Sequence, residues 1–197
     1  MISEAEVQRL RREGLEVRRP KQREWMLNIA ALQGRHWLGY SEYTARLTKV
    51  SPPGLNARLG TNLVLPRVAI QYAKIASQQP RSRTVPVTTH PDDVAKASAC
   101  DLAIRYWWHA YSYAEAYRKA LLWCLVTSVG YVKNLWQPDA GPYLTVAGQS
   151  YAAGAPLVDY CSPFELVYDP HARSIREARW VYQERLYPPE YVKERFG

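Results

Sequence analysis

Apolar residues recur at three- and four-residue steps through much of the first 130 positions, the spacing of one helix face. Ser3 with Glu6 makes a capping box that opens a long, charged helix. Pro20 is expected to end or kink it, because proline has no amide to donate and its ring clashes one turn back. A second helical run over 21–33 carries Trp25, Ile29 and Leu32, with Gly34 as its stop. Residues 40–61, with Pro52-Pro53-Gly54 in the middle, are expected as a loop or short mobile arm. A third helix from Pro66 puts Val68, Tyr72, Ile75 and Ala76 on one face and ends at Pro80. Thr84-Val85-Pro86-Val87-Thr88 is β-branched and extended, and Pro86 limits it to an edge strand or irregular arm.

Pro91-Asp92-Asp93 begins a strong helix, since proline suits the first helical position and acids suit its positive end. Ala97, Cys100, Ile104, Trp107 and Tyr111 come next at helical steps. A further helix over 114–127 has Tyr117, Leu121 and Cys124 in phase. Past Gly130 the period changes to two. Strands are expected at 131–136, 143–146, 157–160 and 178–186, with a turn at Pro138-Asp139-Ala140-Gly141, and Pro188-Pro189-Glu190 should begin one more helix. The fold class is therefore α+β, a helix-rich first two-thirds packed on a small, mainly antiparallel sheet. The organisation expected is a helical arm and loop over 1–61 and an α+β domain over 62–197.

Composition alters this picture in two ways. Seven Trp and fifteen Tyr stand against two Phe, so most large rings carry a polar handle. Such residues suit surfaces buried against a partner, and equally a Tyr- and Trp-rich core. The net charge of +8 is also uneven: residues 1–90 hold 15 Lys and Arg against 6 Asp and Glu, and the remainder 11 against 12. A basic first half fits contact with nucleic acid or an acidic surface, or a solvated basic helix face. Cys100, Cys124 and Cys161 form no CxxC pair and fit a reducing cytosolic setting. The polar N-terminus has no apolar signal core, and the apolar run 120–132 is too short to span a bilayer.

The chemistry-bearing patterns are mostly missing. His36, His90, His109 and His171 are scattered, HExxH and Gly-x-Ser-x-Gly do not occur, and no glycine-rich loop ends in Gly-Lys-Ser/Thr. No catalytic residue, metal ligand or cofactor is assigned. Asp92-Asp93 point about 100° apart on a helix and are expected to cap it. Asp139, Asp159 and Asp169 fall on turns or strand ends, where ordinary turn chemistry and a converging nuclease site are both open. The basic cluster around Pro20 offers Arg18, Arg19, Lys21 and Arg23 as phosphate contacts, if they share a face. Pairing with Glu13, Glu16 and Glu24 is the plain alternative. The run from Tyr106 to Tyr111 covers nearly every face of its helix, which makes Trp107, Trp108 and Tyr111 candidates for an oligomer interface. Stacking on single-stranded bases would need a basic groove that the local sequence lacks.

The order of segments resembles the portal, or head-to-tail connector, proteins of tailed bacteriophages, in particular the podovirus-like group. The blocks that carry the resemblance run the length of the chain. They are the charged first helix leading to Gln33-Gly34-Arg35-His36-Trp37, Thr61-Asn62-Leu63-Val64-Leu65-Pro66-Arg67-Val68, and Gln79-Pro80-Arg81 followed by Val85-Pro86-Val87. Asp93 and Ala97 open the Trp-rich helix, Gly130-Tyr131-Val132-Lys133 sits at a helix-to-strand transition, and Ser162-Pro163-Phe164-Glu165, Tyr168-Asp169-Pro170-His171-Ala172 and Arg179-Trp180-Val181 complete the series. Val132 departs from the small residue many relatives keep, and residues 142–156 form a Gly- and Ala-rich insertion.

The resemblance implies a non-enzymatic ring subunit, typically about twelve copies closed by head-to-tail contacts. It implies partners in terminase, the major capsid or scaffold protein and a tail adaptor, with double-stranded DNA passing through, and no membrane. The location implied is the portal vertex of the virion, and the host cytoplasm during assembly. Family members continue into stem, clip and crown, so residues 1–197 are expected to be the outer wing portion, without most channel-lining segments. Two rivals remain: another basic, nucleic-acid-binding structural protein, and a metal-dependent nuclease built on the scattered aspartates.

Overall fold

Ser3 opens the first helix, α1 (Glu4–Leu32), by accepting a hydrogen bond from the Glu6 amide at 3.3 Å. The computed structural model describes residues 3–50, 60–78, 80, 82–146 and 148–196; the Pro52-Pro53-Gly54 loop, Gln79 and Arg81 lie outside them. α1 does not end at Pro20. Proline leaves the Glu16 carbonyl without its helical donor, but both residues are exposed, so water can serve that oxygen. The helix is held on both sides of Pro20, by Gly14 seated against Val167 and Trp180 and by Trp25 edge-on to Phe164 at 5.4 Å. The expected break is replaced by one 29-residue helix.

Its C-terminus is a Schellman motif: Gly34 N–H bonds Ala31 O, Arg35 N–H bonds Ala30 O, and Gly34 takes φ +76°. Asn62 donates to Leu32 O at 2.9 Å, satisfying another terminal carbonyl. The next segment is a hairpin rather than a loop. β1 (Leu38–Ser41) pairs antiparallel with β2 (Arg46–Lys49), joining Leu38 to Lys49 and Ser41 to Arg46.

The chain divides into two compact units, and the division does not come from a single cut at residue 61 or 62. Residues 1–62 and 162–197 form one unit, and 63–161 the other. The last segment belongs with α1 because it supplies the cover that α1 lacks. β7 (Leu166–Tyr168) and β8 (Val181–Gln183) pair antiparallel, and Arg18 Nη1 donates to Phe164 O at 3.0 Å and Leu166 O at 3.1 Å. Arg11 grips Glu184 with two bonds, 2.7 and 3.0 Å. The seam along α1 is Val7, Arg11, Gly14, Arg18, Trp25 and Ile29, at steps that keep one helix face. α5 (Pro189–Phe196) comes after β8. The expected strand over 178–186 shrinks to Val181–Gln183, and β7 had not been expected at all.

In the second unit α2 (Val64–Ser77) and α3 (Pro91–Ala110) both pack on α4 (Tyr113–Thr127). Ser112 turns the chain between α3 and α4 with φ +53°. α4 in turn packs on β6 (Ala155–Cys161) and β3 (Tyr131–Gln137), which pair antiparallel from Tyr131↔Cys161 to Gln137↔Ala155. β4 (Tyr143–Val146) and β5 (Gln149–Ala152) make a further hairpin in the Gly- and Ala-rich segment. The segment 82–89 is irregular, not a strand.

Two helix faces are turned by one residue from expectation. On α4 the buried positions are Ala116, Ala120 and Thr127, while Cys124 is exposed and Tyr117 and Leu121 are half-buried. Small residues face the strands because the approach is close: a Cβ on Gly130 would overlap the Ala120 carbonyl oxygen. On α3 the covered positions are Ala97, Asp101, Ile104 and Trp108, whereas Cys100 and Trp107 are exposed. Asp101 is drawn in by the Thr84 amide at 2.6 Å, and Trp108 by Tyr113 and Tyr117 at ring distances of 4.6 and 6.1 Å. The fold is mixed α+β with small antiparallel sheets, four two-stranded pairs among the described residues rather than one sheet.

Candidate interaction surface

Arg18, Arg19, Lys21 and Arg23 do not form a phosphate-facing patch. Arg18 is half-buried, its guanidinium spent on the two backbone carbonyls, and burial lowers its pKa. Lys21 pairs with Glu24 at 3.1 Å, one turn along. Arg23 pairs with Glu42 at 2.8 Å and lies over the Tyr40 ring at 5.6 Å. Arg19 is exposed and has no partner among the described residues. At about 100° per residue, 18 and 21 fall on a different side of α1 from 19 and 23.

The aromatic run separates into covered and open rings. Trp108 is packed on Tyr113 and Tyr117, and Tyr111 lies edge-on to Tyr106 at 6.4 Å. Trp107 stays 42% exposed and Tyr106 64% exposed. Tyr106 belongs to a face that sequence periodicity passed over: Ala95, Ala99, Leu102, Tyr106 and Ala110 recur at four- and three-residue steps, and all are exposed. None carries a charge.

A second open apolar surface sits on the strands. Leu135 and Leu157 are directly opposite in the β3–β6 register, and both are nearly half exposed. Trp136, opposite Pro156 in the next pair and so on the other face of the ribbon, is 59% exposed. Tyr143, Leu144 and Tyr151 are exposed on the separate β4–β5 hairpin, where Leu144 pairs with Tyr151. Residues 131–136, expected as a strand from their alternation, lie within β3. The covered half is the start of β3, beside α4; its end is open.

The acidic candidates other than Asp139 are engaged locally. Asp92 and Asp93 occupy the first turn of α3, where His90 Nδ1 accepts from the Asp92 amide at 3.4 Å and Thr88 Oγ1 bonds Asp93. Asp169, 2% exposed, accepts from Arg179 Nε at 2.7 Å and the His171 amide at 3.0 Å. Those bonds hold its pKa at about 2, the Arg179 contact contributing most. Asp159 accepts from the Tyr160 amide at 2.8 Å, and Asp139 is exposed. Among the described residues no group of three or more His, Cys, Asp or Glu could hold a metal ion. No helix among them is long and apolar enough to cross a membrane, and the three cysteines form no disulfide.

No family model matches the chain, and neither does any curated protein or solved structure.

Proposed function

We propose that the chain is a structural subunit of a phage portal ring, contributing its wing portion. The observation that carries this reading is the open apolar face of the strands, centred on the opposed pair Leu135 and Leu157. The β3–β6 ribbon is backed by α4, yet it leaves these large side chains open. Full burial of a large apolar side chain gains about 1.5–3 kcal/mol, and these half-exposed ones would gain about half of that. A neighbouring copy, seated by a head-to-tail contact, gives that cover, and repetition of the contact closes a ring. The uncharged face of α3, from Ala95 to Ala110, offers a second surface for the same kind of contact. The sequence blocks that resemble portal proteins point the same way.

In this reading the subunit performs no catalysis. Its ring occupies one capsid vertex of the virion, receives the terminase during packaging, meets capsid or scaffold protein at its rim and later takes the tail adaptor. Double-stranded DNA passes through the ring, and assembly takes place in the host cytoplasm. Negative-stain microscopy of the full-length gene product tests it: ring particles are expected, and monomers at every concentration would overturn it.

A further inference from the structure

A cavity of about 580 Å³ opens in the second unit between Pro80, Ser82 and Arg83 on one side and the C-terminal half of α3 on the other. Arg83, Asp101, Ile104, Arg105, Trp108 and His109 line it. The size is that of a small-molecule site, larger than a single ion needs. Its charge is unbalanced. Among the described lining residues Asp101 is the one carboxylate, and it is already bonded to the Thr84 amide at 2.6 Å. Arg83 and Arg105 have neither a hydrogen bond nor an ion pair among the described residues, although both lie near enough to Asp101 to stabilise its charged form. Two guanidiniums thus share one cavity with a single, occupied acid, and keep their full donor sets. The neighbouring Trp108 indole N–H is buried without an acceptor. Such an orphan donor is uncommon in a folded protein. Ile104 and the Trp108 ring add an apolar wall beside the cations.

The Thr84–Asp101 bond explains how the site is assembled. It ties the irregular segment to α3 and so brings Arg83 from the loop alongside Arg105 from the helix. Neither arginine belongs to a basic run that would mark the site in the sequence. Guanidinium forks suit the oxygens of phosphate, and an aromatic and aliphatic wall suits a planar base. We propose that this cavity binds a nucleotide through its phosphate, with Arg83 and Arg105 holding the phosphate and the Ile104 and Trp108 wall taking the base. The site goes beyond ring assembly and does not depend on it. An acidic protein segment would satisfy the arginines but would leave the apolar wall unused.

Fluorescence anisotropy of a labelled octathymidylate, titrated with the chain, tests the site. Saturable binding is expected, displaced by thymidine monophosphate at concentrations at least about tenfold below those needed of inorganic phosphate, thymidine or an oligoglutamate peptide. Arg83→Gln and Arg105→Gln should each weaken binding about tenfold or more, since each removes a charge-assisted contact. Both side chains are exposed and unpartnered, so the thermal melt should stay unchanged. Arg12→Gln, on the exposed surface of α1, should leave binding as it is. Asp101→Asn keeps an acceptor for Thr84, removes the opposing charge and should tighten binding. Direct titration with thymidine monophosphate assigns the source: equal affinity per site points to a free nucleotide, and a much tighter oligomer to a strand. Absence of binding by both, displacement by phosphate or oligoglutamate as readily as by the mononucleotide, or wild-type affinity in the Arg83→Gln/Arg105→Gln double variant would each overturn the proposal.

Discussion

Asp169 and Arg179 are joined at 2.7 Å across the turn after β7, the carboxylate buried and the arginine largely in solvent. Asp169 also takes the His171 amide, so it ties the two sides of that turn together. Its pKa is held at about 2 in the folded chain, below its ordinary value of 3.8. A lowered folded pKa means that the unfolded chain takes up the proton first. The stabilisation is therefore complete above the ordinary value and is lost as pH falls from about 4 towards about 2. Asp169→Asn should lower the Tm at pH 7, and the gap to wild type should narrow by pH 2.5. Melting curves at the two pH values check this, and an unchanged gap would contradict it.

Arg18 is expected to act on stability and not on nucleic-acid affinity. Its Nη1 serves two backbone carbonyls of the segment covering α1. Methionine keeps the apolar stem but offers neither carbonyl a donor. Arg18→Met should cost about 1–3 kcal/mol, the range for partners left unsatisfied in a partly buried site. Urea denaturation measures it. A loss below about 0.5 kcal/mol, the usual range of surface substitutions, would count against the assignment.

Gly14→Ala tests two opposing effects. Alanine gains about 1 kcal/mol over glycine inside a helix. The added methyl, however, would overlap Val167 and press on Trp180, and overpacking costs about 1–3 kcal/mol. Net destabilisation is expected. Gly130→Ala should be worse, because its methyl meets the Ala120 backbone, which has no rotamer with which to yield.

These positions also show how much of the fold the sequence disclosed. The helices and the change to strands near residue 130 are legible in periodicity, and Ser3 and Gly34 mark their ends of α1 by capping chemistry. The pairing of 162–197 with α1 is not. The buried seam of α1 runs through Arg11, Gly14 and Arg18, so a search for apolar spacing passes over its N-terminal half. The one-residue rotation of α3 has the same origin: Asp101 is turned inward by a hydrogen bond to Thr84, and bonding of that kind leaves no periodic trace. The basic cluster was plain in sequence, but its partners Phe164, Leu166 and Glu42 lie far along the chain or across a hairpin that carries no Asn-Gly signal. The Arg83–Arg105 cavity escaped for the matching reason, one loop arginine and one helix arginine brought together only by folding.

Leu135 and Leu157 face each other in register and are both open, so each should matter more to association than to the fold. Leu157→Asp is expected to cost the fold about 1 kcal/mol, from weaker strand propensity and the lost cross-strand contact with Leu135. In the assembled protein it would place an unpaired charge in a buried contact, a cost of several kcal/mol. Denaturation of the chain and sedimentation of the assembly separate the two effects.

Native mass spectrometry of the full-length gene product reads out ring assembly through that strand face. A single closed species at an integral multiple of the subunit mass is expected for the wild type, and its loss to monomer for Leu157→Asp. A wild-type protein that stays monomeric, or a Leu157→Asp variant that forms the same closed species at the same concentration, would contradict the account.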